Sequence, residues 1–404
     1  MKTTNRDECL LFVESIKTHF IENFPFLKDK DRDDFISKFD ELLNEEEFLP
    51  EQIDIDDLIR RISQILVTLD NSHVGLNEKN LENFKLTRDI YCKAKTFWIN
   101  EAGTPLEIIS INDTPIEVLI NERLKEIGGG TSEWKRYKAT KRIMISDKAG
   151  DVIIKARDEQ GKIIEIKDQF IKNENKRFEI IVENGIAREY RRDDYIEGKM
   201  LDGDIALINI KSWGGKINID GKNIVKLVEE ELENLKMCKS IILDVRENDG
   251  GNSHYARLVA SHFLKEKVDV CNFLVKKPGQ NEMIREYAKI GPEGEYYDQK
   301  LVILTGPKGI SSTDMFLTFL KDIGRAVSIG QATGGGSGNP QIFNLHLGDR
   351  EFDLWVSCWR NYRNNGQEIE NNGIEPDIFV EPTPEDVRNH RDVELERAIK
   401  YLNN

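Results

Sequence analysis

Apolar residues between positions 5 and 76 recur at helical spacing in three runs: Leu10, Leu11 and Val13; then Phe35, Ile36, Phe39, Leu42 and Leu43; then Ile55, Leu58, Ile59, Ile62, Ile65, Leu66 and Leu69. The pattern predicts three amphipathic helices, punctuated by Pro25 and Pro50. The third ends just before Asp70-Asn71-Ser72-His73, which places His73 in a loop beyond a helix end and favours exposure to a cleft. From about 90 to 200 the runs shorten and alternate: Leu106 to Ile111, Val152 to Ala156, Ile163 to Ile166 and Phe178 to Val182, with turn residues at Gln160-Gly161 and Asn184-Gly185. This reads as a β-rich middle module in which the charged stretch Lys135 to Arg142 is a solvated face.

From about 201 apolar strands and helical patterns take turns. Ile205 to Ile210, Ile241 to Leu243, Leu301 to Leu304 and Ala326 to Ile329 read as strands, with helices near Asn223 to Leu235, Tyr255 to Leu264 and Ser312 to Lys321. That alternation predicts an α/β core whose strand ends present loops, closed by a last helix near Val393 to Leu402. The expected division is 1–90, helical and ending in the Ser72-His73 loop; 91–200, β-rich; and 201–404, the α/β core.

Bulk properties narrow the class. A chain of 404 residues can form two or three units, each with its own core. A net charge of -15 argues against nucleic acid or anionic lipid as the principal partner, because both attract clustered Lys and Arg. The first 25 residues carry Asp7, Glu8, Glu14 and Glu22 and no unbroken apolar core, so they do not read as a secretory signal, and no stretch is long enough to span a bilayer. The five cysteines (Cys9, Cys92, Cys238, Cys271 and Cys358) are far apart and lack metal-ligand spacing, which fits a reducing compartment; a cytoplasmic location is expected.

The candidate chemistry lies in a few loops. Ser311 follows the apolar run Leu301 to Leu304 and Gly309 and precedes an apolar helix, a position at which a serine is either an N-cap or a reactive group exposed at a helix entrance. A serine hydroxyl is a poor nucleophile until a base takes its proton, and His73 is suited to take it. The pairing suggests a serine hydrolase. The strand Ile241 to Leu243 runs into Asn248-Asp249-Gly250-Gly251, where glycines leave backbone N–H groups free to approach a ligand oxygen; in acyl transfer they would form an oxyanion hole. Asp244 and Arg246, at that strand end, either brace the loop as an ion pair or bind substrate.

The stretch Thr333 to Pro340 has neither a Gly-Lys-Ser/Thr ending nor GxGxxG order, and reads as a flexible loop lining a substrate groove through Gly335 and Gly336. No HExxH or paired-cysteine pattern occurs, so neither metal nor cofactor is expected, and the GxSxG elbow is absent. Among the other histidines, His19 and His262 fall in helical patterns, His346 in a strand and His390 near the last helix, while His254, just after the glycine loop, is a candidate substrate contact.

These segments resemble the tail-specific, or C-terminal processing, serine peptidases. Leu243-Asp244-Val245-Arg246-Glu247-Asn248-Asp249-Gly250-Gly251 resembles the family's Asp-Leu-Arg-x-Asn-x-Gly-Gly signature. Ser311-Ser312-Thr313-Asp314, with Lys321-Asp322-Ile323-Gly324-Arg325-Ala326 and Gly330-Gln331-Ala332-Thr333-Gly334 downstream, is similar to its nucleophile block, and Glu370-Asn371-Asn372-Gly373-Ile374-Glu375-Pro376-Asp377 to its closing element. The bacterial processing branch has its lysine base where this chain has Gly336, whereas Ser72-His73 resembles the Ser-His pair of the tricorn core branch.

That resemblance implies Ser311 as nucleophile, His73 as base, Ser72 as the residue that orients the imidazole, Glu370 as fourth member, and Gly250 or Gly251 with Ser312 as oxyanion donors. It implies a crotonase-like α/β core, and a PDZ-like module over 91–200, where Leu106 to Ile116 looks like its strand-to-turn segment although the Gly-Leu-Gly-Phe loop is absent. The implied activity is hydrolysis of unfolded or short peptides bound as an added strand. The competing reading is a catalytically silent peptide- or ligand-binding member of the same fold. An acyl-CoA enzyme of crotonase type lacks a second acid or base here.

Overall fold

The three N-terminal helices form where the apolar spacing predicts them in a computed structural model, which describes residues 3–27, 29–44, 53–173, 181–183, 186–188, 191–215, 217–276 and 282–404. They are α1 (Arg6–Asn23), α2 (Asp29–Asn44) and α3 (Ile55–Val67). Asn5 and Asp54 cap α1 and α3 by accepting the N–H of Glu8 and of Asp56. The buried stripe of α1 is Cys9, Phe12, Val13, Ile16 and Phe20; Leu11, expected on that face, is 73% exposed. Pro50 lies outside the described residues.

These helices do not bury their stripe among themselves alone. Phe12, Phe20, Phe35 and Phe39 share a core with Leu345, Phe352 and Leu354 from a three-stranded antiparallel sheet, in which Arg350–Val356 lies between Gln341–Leu347 and Gly75–Glu78. Fully burying each such side chain contributes about 1.5–3 kcal/mol. The strand that follows His73 is therefore tied to a hairpin from the C-terminal half.

The middle module is a twisted antiparallel sheet in the order 90–93, 96–101, 104–111, 150–157, 163–172, 84–86 and 145–146. Strand 84–86 pairs with 170–172, so the module begins before the expected boundary at 90. It also carries two helices that the alternating pattern does not predict, α4 (Ile116–Leu124) and α5 (Ser132–Ile143). The charged run Lys135 to Arg142 belongs to α5, which buries Trp134, Ala139, Thr140 and Ile143 against the sheet. Residues 174–180, including Phe178, and Asn184-Gly185 lie outside the described residues.

The α/β core is a six-stranded sheet in the order 196–201, 205–210, 240–244, 300–305, 327–330 and 378–379, parallel from the second strand onward. Its central strands are apolar throughout because both faces are covered. Ile241, Leu243, Leu301 and Ile303 face α6 (Ile224–Asn234), α7 (Ser253–Ser261) and α8 (Ser312–Leu320). Ile242, Val302 and Leu304 face the other way; beyond the short helix α9 (Pro384–Arg388), α10 (Val393–Leu402) covers them with Ala398. A second antiparallel sheet, Met283–Ile290, Val268–Lys276 and Trp359–Arg363, extends the core. Chain reversals at the carboxyl ends of 240–244, 300–305 and 327–330 lead into the loops that carry the candidate chemistry, as is general for parallel sheets.

Candidate active site

Ser311 stands at the entrance of α8 with φ 63° and ψ -115°, a backbone conformation that costs a non-glycine residue about 1–3 kcal/mol. Two partners hold it there: its N–H donates to the Gly336 carbonyl at 2.7 Å and to Asp314 Oδ2 at 2.9 Å. Asp314 is fully buried and also accepts the N–H of Gly336, the more distant N–H of Gly335 and the Thr333 hydroxyl. Burial outweighs these donors and pushes its carboxyl up to about 7.

Across 238 positions of sequence, His73 Nε2 lies 3.1 Å from Ser311 Oγ. The other ring nitrogen, Nδ1, is 2.9 Å from Ser72 Oγ, and the Ser72 N–H donates to Glu370 Oε1 at 2.7 Å. With Nδ1–H donating to the Ser72 hydroxyl oxygen, Nε2 is left as an acceptor facing the Ser311 hydroxyl. Burial, reinforced by the Lys138 ammonium, lowers the imidazole to about 4, so the ring is neutral at pH 7. Glu370 is buried, accepts the Ser337 N–H as well, and is pushed up to about 7 by desolvation.

The loop at 333–338 corrects the sequence expectation. It is buried instead of lining an open groove, and Gly335 and Gly336 hold the Ser311 backbone, directly and through Asp314. Its glycines are required by close packing: a Cβ at Gly336 would lie 2.0 Å from Ser72 Oγ, and one at Gly338 would lie 2.0 Å from Ser357 Oγ and 3.1 Å from His73 Cβ. The loop before α5 closes the other side, with Thr131 N–H donating to Gly334 O at 2.8 Å and Gly129 N–H to Asp70 Oδ1 at 3.0 Å.

Gly250 and Gly251 differ in what they offer. The Gly250 N–H is engaged by Asn248 Oδ1 at 3.0 Å, so the expectation that it donates to substrate is not met; its missing Cβ is what lets Ser311 approach, since a Cβ there would lie 2.8 Å from that of Ser311. The Gly251 N–H has no acceptor among the described residues, and the Ser312 N–H, in the first turn of α8, has none within its helix. The Ser312 hydroxyl donates to Gly251 O at 2.8 Å and holds the two segments together.

Asp244 and Arg246 form an ion pair, as the bracing alternative expects. All five guanidinium N–H groups of Arg246 are engaged, by Asp244, Asp392 and Glu394, which ties the loop to the start of α10. They line a cavity of about 680 Å³ at the strand ends to which neither Ser72 nor His73 contributes. His254 is exposed in the first turn of α7 with its Nδ1 toward Arg257, and it does not line the cavity beside His73.

Three contributors were not singled out in the sequence. Asn71 is buried and its Oδ1 accepts the His73 N–H and the Ser357 hydroxyl; Asn248 fixes the glycine turn; Asp314 holds Ser311. For Asp314 a signal existed, an acid three residues after a helix-entrance serine. Asn71 and Asn248 had none beyond their place in the motif segments. No group of side chains suited to a metal ion occurs among the described residues, and no helix among them is long and apolar enough to cross a membrane.

Residues 204–380 match the model of peptidase family S41. A tricorn protease homolog of Saccharolobus solfataricus is 30% identical over 166 residues, 40% of this chain and 14% of that protein. The tricorn protease of Thermoplasma acidophilum is 26% identical over 334 residues, 79% of this chain and 27% of its own length. The chain thus spans well under half of these curated relatives. In fold, it is similar to mature CPAF, with a TM-score of 0.76 at 14% identity over 98% of this chain and 96% of that one. The photosystem II D1 C-terminal processing protease gives 0.52 at 14% identity, over 93% of each chain. Both neighbours share the mixed α/β architecture described above. With its strand-end glycine turn, nucleophile-like block and closing element in family order, the stretch 204–380 of this chain is similar to the domain of peptidase family S41.

Proposed function

We propose that this protein cleaves peptide bonds through an acyl-enzyme on Ser311, with His73 as general base. The observation that carries the reading is the 3.1 Å approach of His73 Nε2 to Ser311 Oγ, with the far side of the ring bonded through Ser72 to a buried carboxylate. His73 takes the hydroxyl proton as Ser311 attacks the scissile carbonyl. The resulting oxyanion is held by the N–H groups of Gly251 and Ser312, donors worth on the order of 10²–10³ in turnover each. His73 then protonates the leaving amine, and a water deprotonated by the same nitrogen hydrolyses the ester. Glu370, through Ser72, stabilises the imidazolium in each half-reaction.

In this reading the α/β core is of crotonase type and the middle module is PDZ-like. The substrates are unfolded or short peptides bound extended along a sheet edge, and the enzyme works in the cytoplasm. Ser311→Ala and His73→Ala are each expected to abolish cleavage of unfolded protein with an unchanged circular dichroism spectrum, and a fluorophosphonate probe is expected to label Ser311 in the unaltered enzyme. Undiminished turnover by Ser311→Ala overturns the proposal.

A further inference from the structure

Helix α5 presents two kinds of cation. Lys135, Arg136 and Arg142 are each paired, with Asp70, Glu117 and Glu126. Lys138 and Lys141, one turn apart, have no ion-pair partner among the described residues. They line a cavity of about 210 Å³ whose other walls include Ser72, His73, Ile310 and Asp249. Lys138 is half-buried with its Nζ 5.4 Å from the Trp134 ring centre, and Lys141 is at the exposed end with its Nζ 5.8 Å from that of Tyr137. Aromatic faces attract a cation without neutralising it. Asp249 makes no ion pair with either lysine, so two ammonium groups and one carboxylate leave the cavity net positive. Burial, together with Arg142, lowers the Lys138 ammonium from its ordinary value, and burial raises the Asp249 carboxyl.

We propose that this cavity is a substrate subsite for a carboxylate close to the scissile bond, bound by Lys138 with Lys141 at its mouth. The inference rests on the hydrolytic reading above and adds a substrate class to it. Lys138 also acts on rate. Its charge opposes protonation of His73, and the imidazolium forms as Ser311 attacks. A substrate carboxylate placed against Lys138 cancels that opposition where positive charge develops, so the preference appears in kcat as well as in KM.

The test uses the full chain and matched peptides around a bond identified by mass spectrometry in a digest of unfolded, alkylated protein. Each peptide carries Glu, Gln or Lys beside that bond and has a free or an amidated C-terminus. The expected result is a kcat loss of roughly 10- to 100-fold on removing the relevant carboxylate, the worth of a charged hydrogen bond. Sensitivity to Glu→Gln alone identifies an acidic side chain, and sensitivity to amidation alone identifies a chain terminus. Lys138→Met is expected to level the Glu and Gln peptides, Lys138→Arg to retain the preference, and Lys138→Glu to favour the Lys peptide. Cleavage indifferent to both carboxylates in the unaltered enzyme overturns the subsite, whatever the variants do. A Ser311 that no fluorophosphonate labels overturns the hydrolytic reading itself.

Discussion

Gly336 and Ser72 occupy one space: a Cβ at position 336 would lie 2.0 Å from the Ser72 hydroxyl oxygen and 2.8 Å from Ser72 Cβ. The position at which the bacterial processing branch places its lysine is thus filled from the opposite side by Ser72, whose hydroxyl oxygen lies 2.9 Å from His73 Nδ1. A lysine at 336 and a Ser72-His73 pair exclude one another sterically.

Gly336→Ala is therefore expected to displace Ser72 and with it the imidazole. A misplacement of about 1 Å lowers turnover on the order of 10²-fold. Removing the obstacle in the double variant Gly336→Ala with Ser72→Gly is expected to recover part of the fluorophosphonate labelling rate, and the two single variants measured beside it show whether their effects are coupled.

Activity against pH is expected to rise in two stages. The imidazole, held to about 4, is already a free base in mildly acidic buffer. Glu370, pushed up to about 7, gains the negative charge that stabilises the imidazolium only near neutrality. Glu370→Gln is expected to remove the upper limb of the kcat/KM profile and leave the lower one. A stopped-flow phosphonylation assay from pH 4 to 9 measures both.

Stability carries opposing signs from the same groups. Asp314 and Glu370 have folded values raised above their unfolded ones, so their contribution is complete below the ordinary carboxyl range and is lost as pH rises toward about 7. His73, lowered to about 4, contributes fully above its unfolded value near 6.5 and loses that contribution as pH falls to about 4. Asp314→Asn removes one of the two terms that decline with pH, and urea melts between pH 4 and 8 are expected to show a smaller loss on the alkaline side. The same variant is expected to slow Ser311 labelling, because an amide oxygen accepts fewer bonds from the 335–336 backbone.

Arg246→Ala leaves Asp244, Asp392 and Glu394 facing one another without the guanidinium that binds all three. Breaking such a pair costs about 3–5 kcal/mol, and chemical denaturation is the measurement. Because the guanidinium joins the glycine turn to α10, labelling of Ser311 is expected to fall at temperatures well below the melting midpoint.

Sequence made some of this legible and hid the rest for identifiable reasons. The parallel strands at 241–243 and 301–304 are apolar on both faces, a pattern few other structures require, and α3 repeats Leu58, Ile62 and Leu66 down one side. Ser311 and His73 stand in short motifs whose spacing does not depend on the rest of the fold. Helix α5 was masked by its lysines and arginines, since two of those charges line a cavity and the others pair with acids of distant segments. The glycines at 334–338 suggested mobility by composition, whereas each is small because something else already fills its side-chain space. Partners such as Arg246 and Asp392, 146 positions apart, leave no local trace.

Strand 75–78, just past His73, pairs with 352–355, and the helices before it pack on the same hairpin. During synthesis on the ribosome the histidine therefore has no sheet to join until residues 341–356 have been made. On the proposed reading, a product truncated before that hairpin carries Ser311 while the base intended for it is still unplaced.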